Sequence, residues 1–193
     1  MFTNWSSGVL EYWSIGKKGT IFYSILCLLL SIFLISSVHA DEISAENLLK
    51  HASVPNGIIC VPDCGAPSTG SGQAGDLALE LAQKSKFLVF AMDADAGNVA
   101  AAKDKAMKAG LLGRRLYVQQ GSRESIPFAD NYIDLLILNN LKNEDLTDKL
   151  AVEINRVLTP IHGTVLFSGS TGKKEIETFL KKKVFTEYRT LNT

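Results

Sequence analysis

The sequence contains little that would mark a specialised class of protein. Its 193 residues include three cysteines, too few for a small domain held together by disulfides. Neither sign of charge is in excess, since 20 Lys and Arg balance 20 Asp and Glu, whereas nucleic-acid binders usually carry a net basic face. Low-complexity disorder is excluded because 46% of the chain is hydrophobic. The length predicts one globular domain with some additional sequence.

Metal-ligating residues are also scarce. Cys60 and Cys64 lie close together in the chain, but no His and no further Cys lies near them. We therefore expect no metal site, although the two thiols could pair in an oxidising compartment.

The chain has a single long hydrophobic run, from Ile21 to Ile35, which contains no charged residue. Lys17 and Lys18 precede it, and Val38-His39-Ala40 supplies a small-residue cleavage site. This pattern predicts a secretory signal peptide that is cleaved after Ala40. The alternative is an uncleaved membrane anchor over about Thr20–Val38, which approaches the roughly 20 apolar residues of a span. In both cases we expect residues 41–193 to be exported to the periplasm or cell envelope.

From residue 41 onward, compact apolar runs alternate with amphipathic stretches. Strands are predicted at Gly57–Val61, Phe87–Met92, Arg115–Gln119, Tyr132–Leu138, Thr164–Ser168 and Val184–Arg189. Helices are predicted at Asp41–Ala52, Asp76–Lys84, Gly97–Ala109, Leu146–Val157 and Lys173–Lys182. Strands that are apolar on both faces and separated by helices indicate a mostly parallel sheet with helices on both faces. The fold class is therefore doubly wound, Rossmann-like α/β, in one domain over residues 41–193.

Ligands of such sheets bind beyond the carboxyl ends of the strands. The segments expected there are Asp63–Gly75, Asp93–Asp95, Gly121–Glu124 and Asn139–Asn140. Gly70–Gly75 also matches G-x-G-x-x-G before a helix, with acidic residues at the end of the next strand, as in dinucleotide-binding proteins. In that motif the first Gly follows the strand almost directly, whereas here Asp63–Thr69 intervenes. An NAD-binding oxidoreductase and a flexible Gly/Ser loop without a ligand both remain alternatives at this point.

Four segments resemble class I S-adenosylmethionine-dependent methyltransferases of the type 11-like group. Ser125–Leu138 resembles the stretch around their fourth strand, where L-P-F-x-D-x-x-F-D is characteristic, and Glu153–Leu166 resembles their E-x-x-R-V-L-K-P-G-G segment. Ile59–Gly65 stands where their first motif is expected, and Met92-Asp93 where their ribose-binding acid is expected. The resemblance implies the fold, methyl transfer to an acceptor that the sequence does not name, and S-adenosylmethionine as cofactor.

The resemblance also implies which residues contact the cofactor. Its glycine loop would comprise Asp63, Cys64, Gly65, Gly72 and Gly75, with Asp63 replacing the family's first Gly and Ala66–Ala74 containing an insertion. Asp93 would accept both ribose hydroxyls. Asp95 is either a second ribose ligand or the cap of the next helix. Ser122 would face adenine, and Asn139 is either a substrate-side polar residue or, like Asn140, the cap of a turn. No catalytic residue is implied, because methyl transfer from a sulfonium depends mainly on alignment.

A more particular similarity is to the methyltransferase-like module that precedes a PQQ-type propeller in exported bacterial proteins. The usual methyltransferase sheet has seven strands, and only Val184–Arg189 is a candidate after the fifth. We therefore expect the domain to be C-terminally truncated or to receive a partner at that sheet edge. A degenerate, non-catalytic binding module of the cell envelope is the alternative function, and no nucleic acid is expected as a partner.

Overall fold

The computed structural model describes residues 44–65 and 74–182 of the chain. Five strands occur in this part, β1 (Ile58–Val61), β2 (Leu88–Asp93), β3 (Leu116–Gln120), β4 (Leu135–Leu141) and β5 (Thr164–Gly169). The helices are α1 (Ala45–Leu49), α2 (Asp76–Lys84), α3 (Ala96–Lys108), α4 (Asp148–Val157) and α5 (Lys173–Lys182), with a 3₁₀ turn at Asn143–Asp145. The predicted signal segment and the predicted strand Val184–Arg189 lie outside the described residues.

The strands form one parallel sheet in the order β3-β2-β1-β4-β5. The chain runs outward from β1 to β3 and then returns to the other side of β1, so that β1 and β4 are neighbours. The strand order reverses between these two strands, and such a reversal opens a crevice at the carboxyl ends where ligands bind. The parallel sheet predicted from the sequence is confirmed.

Each face of the sheet is covered by helices, as predicted. On one face α2 and α3 pack on side chains such as Val89 and Leu135, and on the other α4 and α5 pack on side chains such as Met92 and Leu136. All four of these strand side chains are fully buried. Burial on both faces explains why the strands are continuous apolar runs in the sequence. Within the described residues, no helix is long and apolar enough to cross a membrane.

Two predicted elements had wrong bounds, the lead-in helix and β4, which begins at Leu135 and not at Tyr132. The lead-in helix is only the five residues of α1, begun by Ser44, whose hydroxyl accepts a hydrogen bond from the Asn47 amide. Strand β4 continues through Asn139 and Asn140 to Leu141, which pairs with Gly169 after a bulge. The strand continues because Leu141 is fully buried, although two polar residues precede it.

A loop without a helix joins β3 to β4, and α4 holds it in place. The Glu153 side chain is buried, and its Oε1 accepts hydrogen bonds from the Ile126 amide at 2.6 Å and from Arg156 Nη2 at 2.7 Å. Arg156 in turn donates to the carbonyl oxygens of Ile126 at 2.9 Å and Phe128 at 2.6 Å, and pairs with Asp130. The hydrogen bonds of Arg156 lower the pKa of Glu153. Two of the resemblance segments therefore meet in one structural network.

Arg156→Met is expected to destabilise the fold by about 2–3 kcal/mol at pH 7, because it leaves the buried Glu153 carboxylate without its cation. The pKa of Glu153 is depressed in the folded state, so its stabilisation is present above its unfolded pKa and is lost as pH falls through the folded value. The difference in free energy of unfolding between the variant and the wild type should therefore become smaller as the pH is lowered. Urea denaturation at neutral and acidic pH measures both effects. The control is Lys149→Met, an exposed position on the same helix, and an equal loss in the two variants would contradict the prediction.

Candidate functional site

The carboxyl ends of β1 and β2 bring together a small polar cluster around Asp93, the last residue of β2. The Asp93 side chain is buried, and three donors of the protein surround its carboxylate. Oδ2 accepts from the Gly65 amide at 2.7 Å, while Oδ1 accepts from the Asp95 amide at 2.9 Å and from Asn98 Nδ2 at 3.1 Å. These donors hold the carboxylate in one orientation at the sheet edge.

Gly65 gives this cluster its shape. A Cβ at residue 65 would lie 2.0 Å from Asn98 Nδ2 and 2.7 Å from Asp93 Oδ2, so that no side chain fits beside the carboxylate. Glycine at residue 65 therefore lets the first loop approach Asp93 and the start of α3 closely. We call this cluster of Gly65, Asp93 and Asn98 the Asp93 cradle.

The predicted glycine loop is fixed at both of its described ends. The Cys64 amide donates to the Met92 carbonyl at 2.8 Å, and the Gly75 amide donates to the Cys64 carbonyl at 2.7 Å. Gly75 precedes α2 with a φ of 85°, and a Cβ there would lie 2.8 Å from the Ala102 Cα. Cys64, Gly65 and Gly75 are therefore brought together with Asp93, whereas Gly72 lies outside the described residues.

Asp63, which stands in place of the family's first Gly, lies in an ion-pair bridge across the ends of β1 and β4. Its Oδ1 is 2.9 Å from Arg123 Nη2, and Arg123 Nη1 is 3.0 Å from Asp145 Oδ2. Burial raises the pKa of Asp63 to about 6, with Arg123 opposing the shift and the charges of Asp93 and Asp145 adding to it. Asp63 Oδ2 is buried and has no hydrogen-bond partner among the described residues.

The remaining predicted site residues have other local roles. Asp95 caps α3, since its Oδ1 accepts from the Asn98 amide at 2.9 Å, which is the capping alternative. Ser122 is exposed just after β3, and its hydroxyl accepts from the Glu124 amide at 3.2 Å. Asn139 was expected beyond the end of a strand, but it lies inside β4, is buried, and accepts a hydrogen bond from the Ser168 hydroxyl at 3.2 Å.

Cys60 and Cys64 are free, buried thiols. Cys60 packs in the core beneath α4 and α5, whereas Cys64 packs in the core beneath α2 and α3. Burial raises the pKa of Cys64 to about 12 and that of Cys60 further, so that both stay protonated at neutral pH. In the described part of the chain, no group of His, Cys, Asp and Glu is arranged to hold a metal ion.

Sequence reasoning placed Arg123 at this edge within Gly121–Glu124 without giving it a role, and it missed Asn98 and Asp145. Asn98 is the third residue of α3, and only its position after an acidic cap signals a side chain that reaches back to the strand end. Arg123 meets Asp63 across 60 positions of sequence, a contact that no local pattern indicates.

Residues 69–161 match a family model described as a methyltransferase domain. No curated protein sequence gives a significant match. Among solved structures, a Methanococcus maripaludis protein assigned as an S-adenosyl-L-methionine-dependent methyltransferase is 23% identical, with a TM-score of 0.53 over 91% of this chain and 74% of that one.

Two further structures are of geranyl diphosphate methyltransferases, each 14% identical and covering 72% of this chain. One is in complex with SAM (TM-score 0.57), and the other, from Streptomyces coelicolor A3(2), is in complex with Mg²⁺, geranyl diphosphate and S-adenosyl-L-homocysteine (TM-score 0.54). This chain spans 62% and 58% of their lengths. At these identities the likeness establishes the methyltransferase fold, and together with the domain match it supports S-adenosylmethionine as cofactor.

Gly75→Ala is expected to destabilise the protein by at least about 2 kcal/mol, because a side chain there combines backbone strain with a clash against α3. The matched control is Gly110→Ala. Gly110 has a similar φ of 69°, but a Cβ there would meet no atom within 4 Å. Gly110→Ala should therefore lower the stability only through the strain of a positive φ at alanine, by about 1 kcal/mol. Thermal and urea unfolding measure the two losses, and equal losses would show that the contact with Ala102 is unimportant.

Proposed function

We propose that this domain binds S-adenosylmethionine and transfers its methyl group to an acceptor. The observation that carries the proposal is the Asp93 cradle, in which a buried carboxylate with an unused lone pair ends β2 and glycine at residue 65 lets the first loop approach it closely. The methyltransferase-domain match over residues 69–161 supports the same function.

The described residues fit the cofactor's ribose. Asp93 Oδ2 makes one internal hydrogen bond, to the Gly65 amide, and retains a free lone pair for a ribose hydroxyl. Ser122, close behind the carboxyl end of β3, supplies a polar side chain further along the same edge. The cradle therefore holds the chemistry that a nucleoside requires, an acceptor for hydroxyls beside a close backbone approach.

The charge of the edge favours this cofactor over NAD. Arg123 pairs with both Asp63 and Asp145, with Asp93 close by, and burial and the neighbouring acids make the ionised form of Asp63 costly. S-adenosylmethionine supplies a methyl group on a positively charged sulfonium. A cationic ligand reduces the repulsion among these carboxylates, whereas a pyrophosphate would add to it.

The protein's part in such a reaction is to bind and align. A bound sulfonium needs an acceptor held in line with its methyl group, and this positioning supplies most of the rate when the acceptor is already nucleophilic. The alternative is a degenerate module that binds without transferring a methyl group, and the binding experiment below addresses the step on which both depend.

Calorimetry of the full chain is expected to show binding of S-adenosylmethionine and S-adenosylhomocysteine and no heat with NAD. Asp93→Ala should weaken binding by about 10- to 100-fold, because it removes a charge-assisted acceptor. Asp104→Ala, on the exposed face of α3, is the matched control and should bind like wild type. Absence of heat with both sulfur compounds at millimolar concentration would refute the proposal, and heat with NAD alone would favour an oxidoreductase. Binding without methylation of any acceptor would support the degenerate module.

We also propose that residues 1–40 export the domain to the periplasm or cell envelope, as a cleaved signal or as a membrane anchor. The support is the uncharged run Ile21–Ile35 behind Lys17 and Lys18. Export would agree with the similarity of this chain to the methyltransferase-like modules that precede PQQ-type propellers in exported bacterial proteins.

A fusion of residues 1–45 to a reporter that is active only outside the cytoplasm should be active. Replacing two leucines of the run by aspartate should silence it, since charges in the apolar segment prevent insertion. A silent reporter on the unmodified segment would overturn export.

A further inference from the structure

Asp93 does not have enough free acceptor capacity for a diol. A carboxylate offers about four lone-pair positions, and three are taken by the Gly65 amide, the Asp95 amide and Asn98 Nδ2. Oδ1 is fully engaged, so one position remains, on Oδ2. A ribose presents two hydroxyl donors, and one of them therefore needs another acceptor.

Asn98 places an acceptor next to this position. Its main-chain amide is bound by the Asp95 cap, and its side-chain Nδ2 is turned towards Asp93 Oδ1. The other end of the same amide group, Oδ1, has no hydrogen-bond partner in the part of the chain that the structure describes. The group packs directly against Gly65, beside the Asp93 carboxylate, since a Cβ at residue 65 would be 2.0 Å from Nδ2 and 2.7 Å from Asp93 Oδ2.

The other polar groups near this strand end already take part in local hydrogen bonds. Asp95 uses Oδ1 to cap α3, and its side chain is exposed. Ser122 accepts from the Glu124 amide. Asn98 is half-buried against the cradle.

We propose that ribose recognition is divided between two residues, with one hydroxyl bound by Asp93 Oδ2 and the other by Asn98 Oδ1. This inference rests on the proposed cofactor. It makes Asn98 a specificity-determining residue for ligands that carry a free ribose diol. Asp95 is then a positioning residue, because its cap fixes the first turn of α3 and with it the Asn98 side chain.

The test is calorimetry of the full chain with S-adenosylhomocysteine and with its 2′-deoxy and 3′-deoxy analogues. Asn98→Ala should weaken S-adenosylhomocysteine binding by about 3- to 10-fold, the value of one hydrogen bond. For the analogue that lacks the hydroxyl bound by Asn98, wild type and Asn98→Ala should have equal affinity. For the other analogue, Asn98→Ala should weaken binding by the same factor as it does for S-adenosylhomocysteine. Lys103→Ala, an exposed position on the same helix, is the control and should bind all three ligands like wild type.

A merely structural role for Asn98 predicts a different result. If the side chain only orients Asp93, Asn98→Ala will weaken all three ligands by the same factor, which overturns the inference and leaves the proposed function intact. Unchanged affinity for S-adenosylhomocysteine also overturns it. If wild type binds neither S-adenosylmethionine nor S-adenosylhomocysteine, the proposed function fails and this inference fails with it. Asn98→Ser gives the same comparison should Asn98→Ala not fold, because serine is well tolerated near a helix N-terminus.

Discussion

Asp93 ends β2 with its carboxylate buried, and a buried carboxylate is tolerated only where donors surround it. Its three donors come from the loop after β1, from the residue that caps α3, and from the first turn of α3. The loop, the strand end and the helix start are therefore positioned by one side chain. Gly65 has no side chain because the space beside this carboxylate is already filled. The geometry of the whole carboxyl edge depends on that constraint.

The segments that carry the family resemblance divide into two kinds. Glu153 and Arg156 lie in one resembling segment, and the loop that they hold by hydrogen bonds lies in another. Asp134 also has a structural role. Its Oδ2 accepts a hydrogen bond from the Ile58 amide at 2.9 Å, which fixes the start of β4 beside β1. These residues explain the fold. The proposed cofactor site depends instead on Asp93 and Gly65.

The strands of the sheet could be predicted from the sequence because each one is marked by a pattern within its own few residues. Strands buried on both faces are continuous apolar runs, and the bounds of α2 and α5 follow from helical spacing and agree with the structure. The end of β4 was wrong because burial of Leu141 overrides two polar residues at a bulge. At the site, Asp93 and Gly65 could be identified because each follows an apolar strand. No local pattern gave the roles of Arg123 and Asn98. Arg123 meets Asp63 across 60 positions of sequence, and only the folded first turn of α3 brings the Asn98 side chain back to Asp93.

The bridge between Asp63 and Arg123 shows how the chain accommodates an acid where the resembling family has glycine. A carboxylate at this position is mostly buried and lies near Asp93 and Asp145, which explains why its pKa is raised to about 6. For an acid with a raised folded pKa, the ionised form at neutral pH opposes folding. Arg123 offsets that cost from the loop after β3, and α4 holds the same loop through Glu153 and Arg156. The ion pair at the ends of β1 and β4 and the network of Glu153 and Arg156 thus hold the same loop from two sides. The edge retains an excess of negative charge after this compensation, and this excess is the charge argument for the proposed sulfonium cofactor.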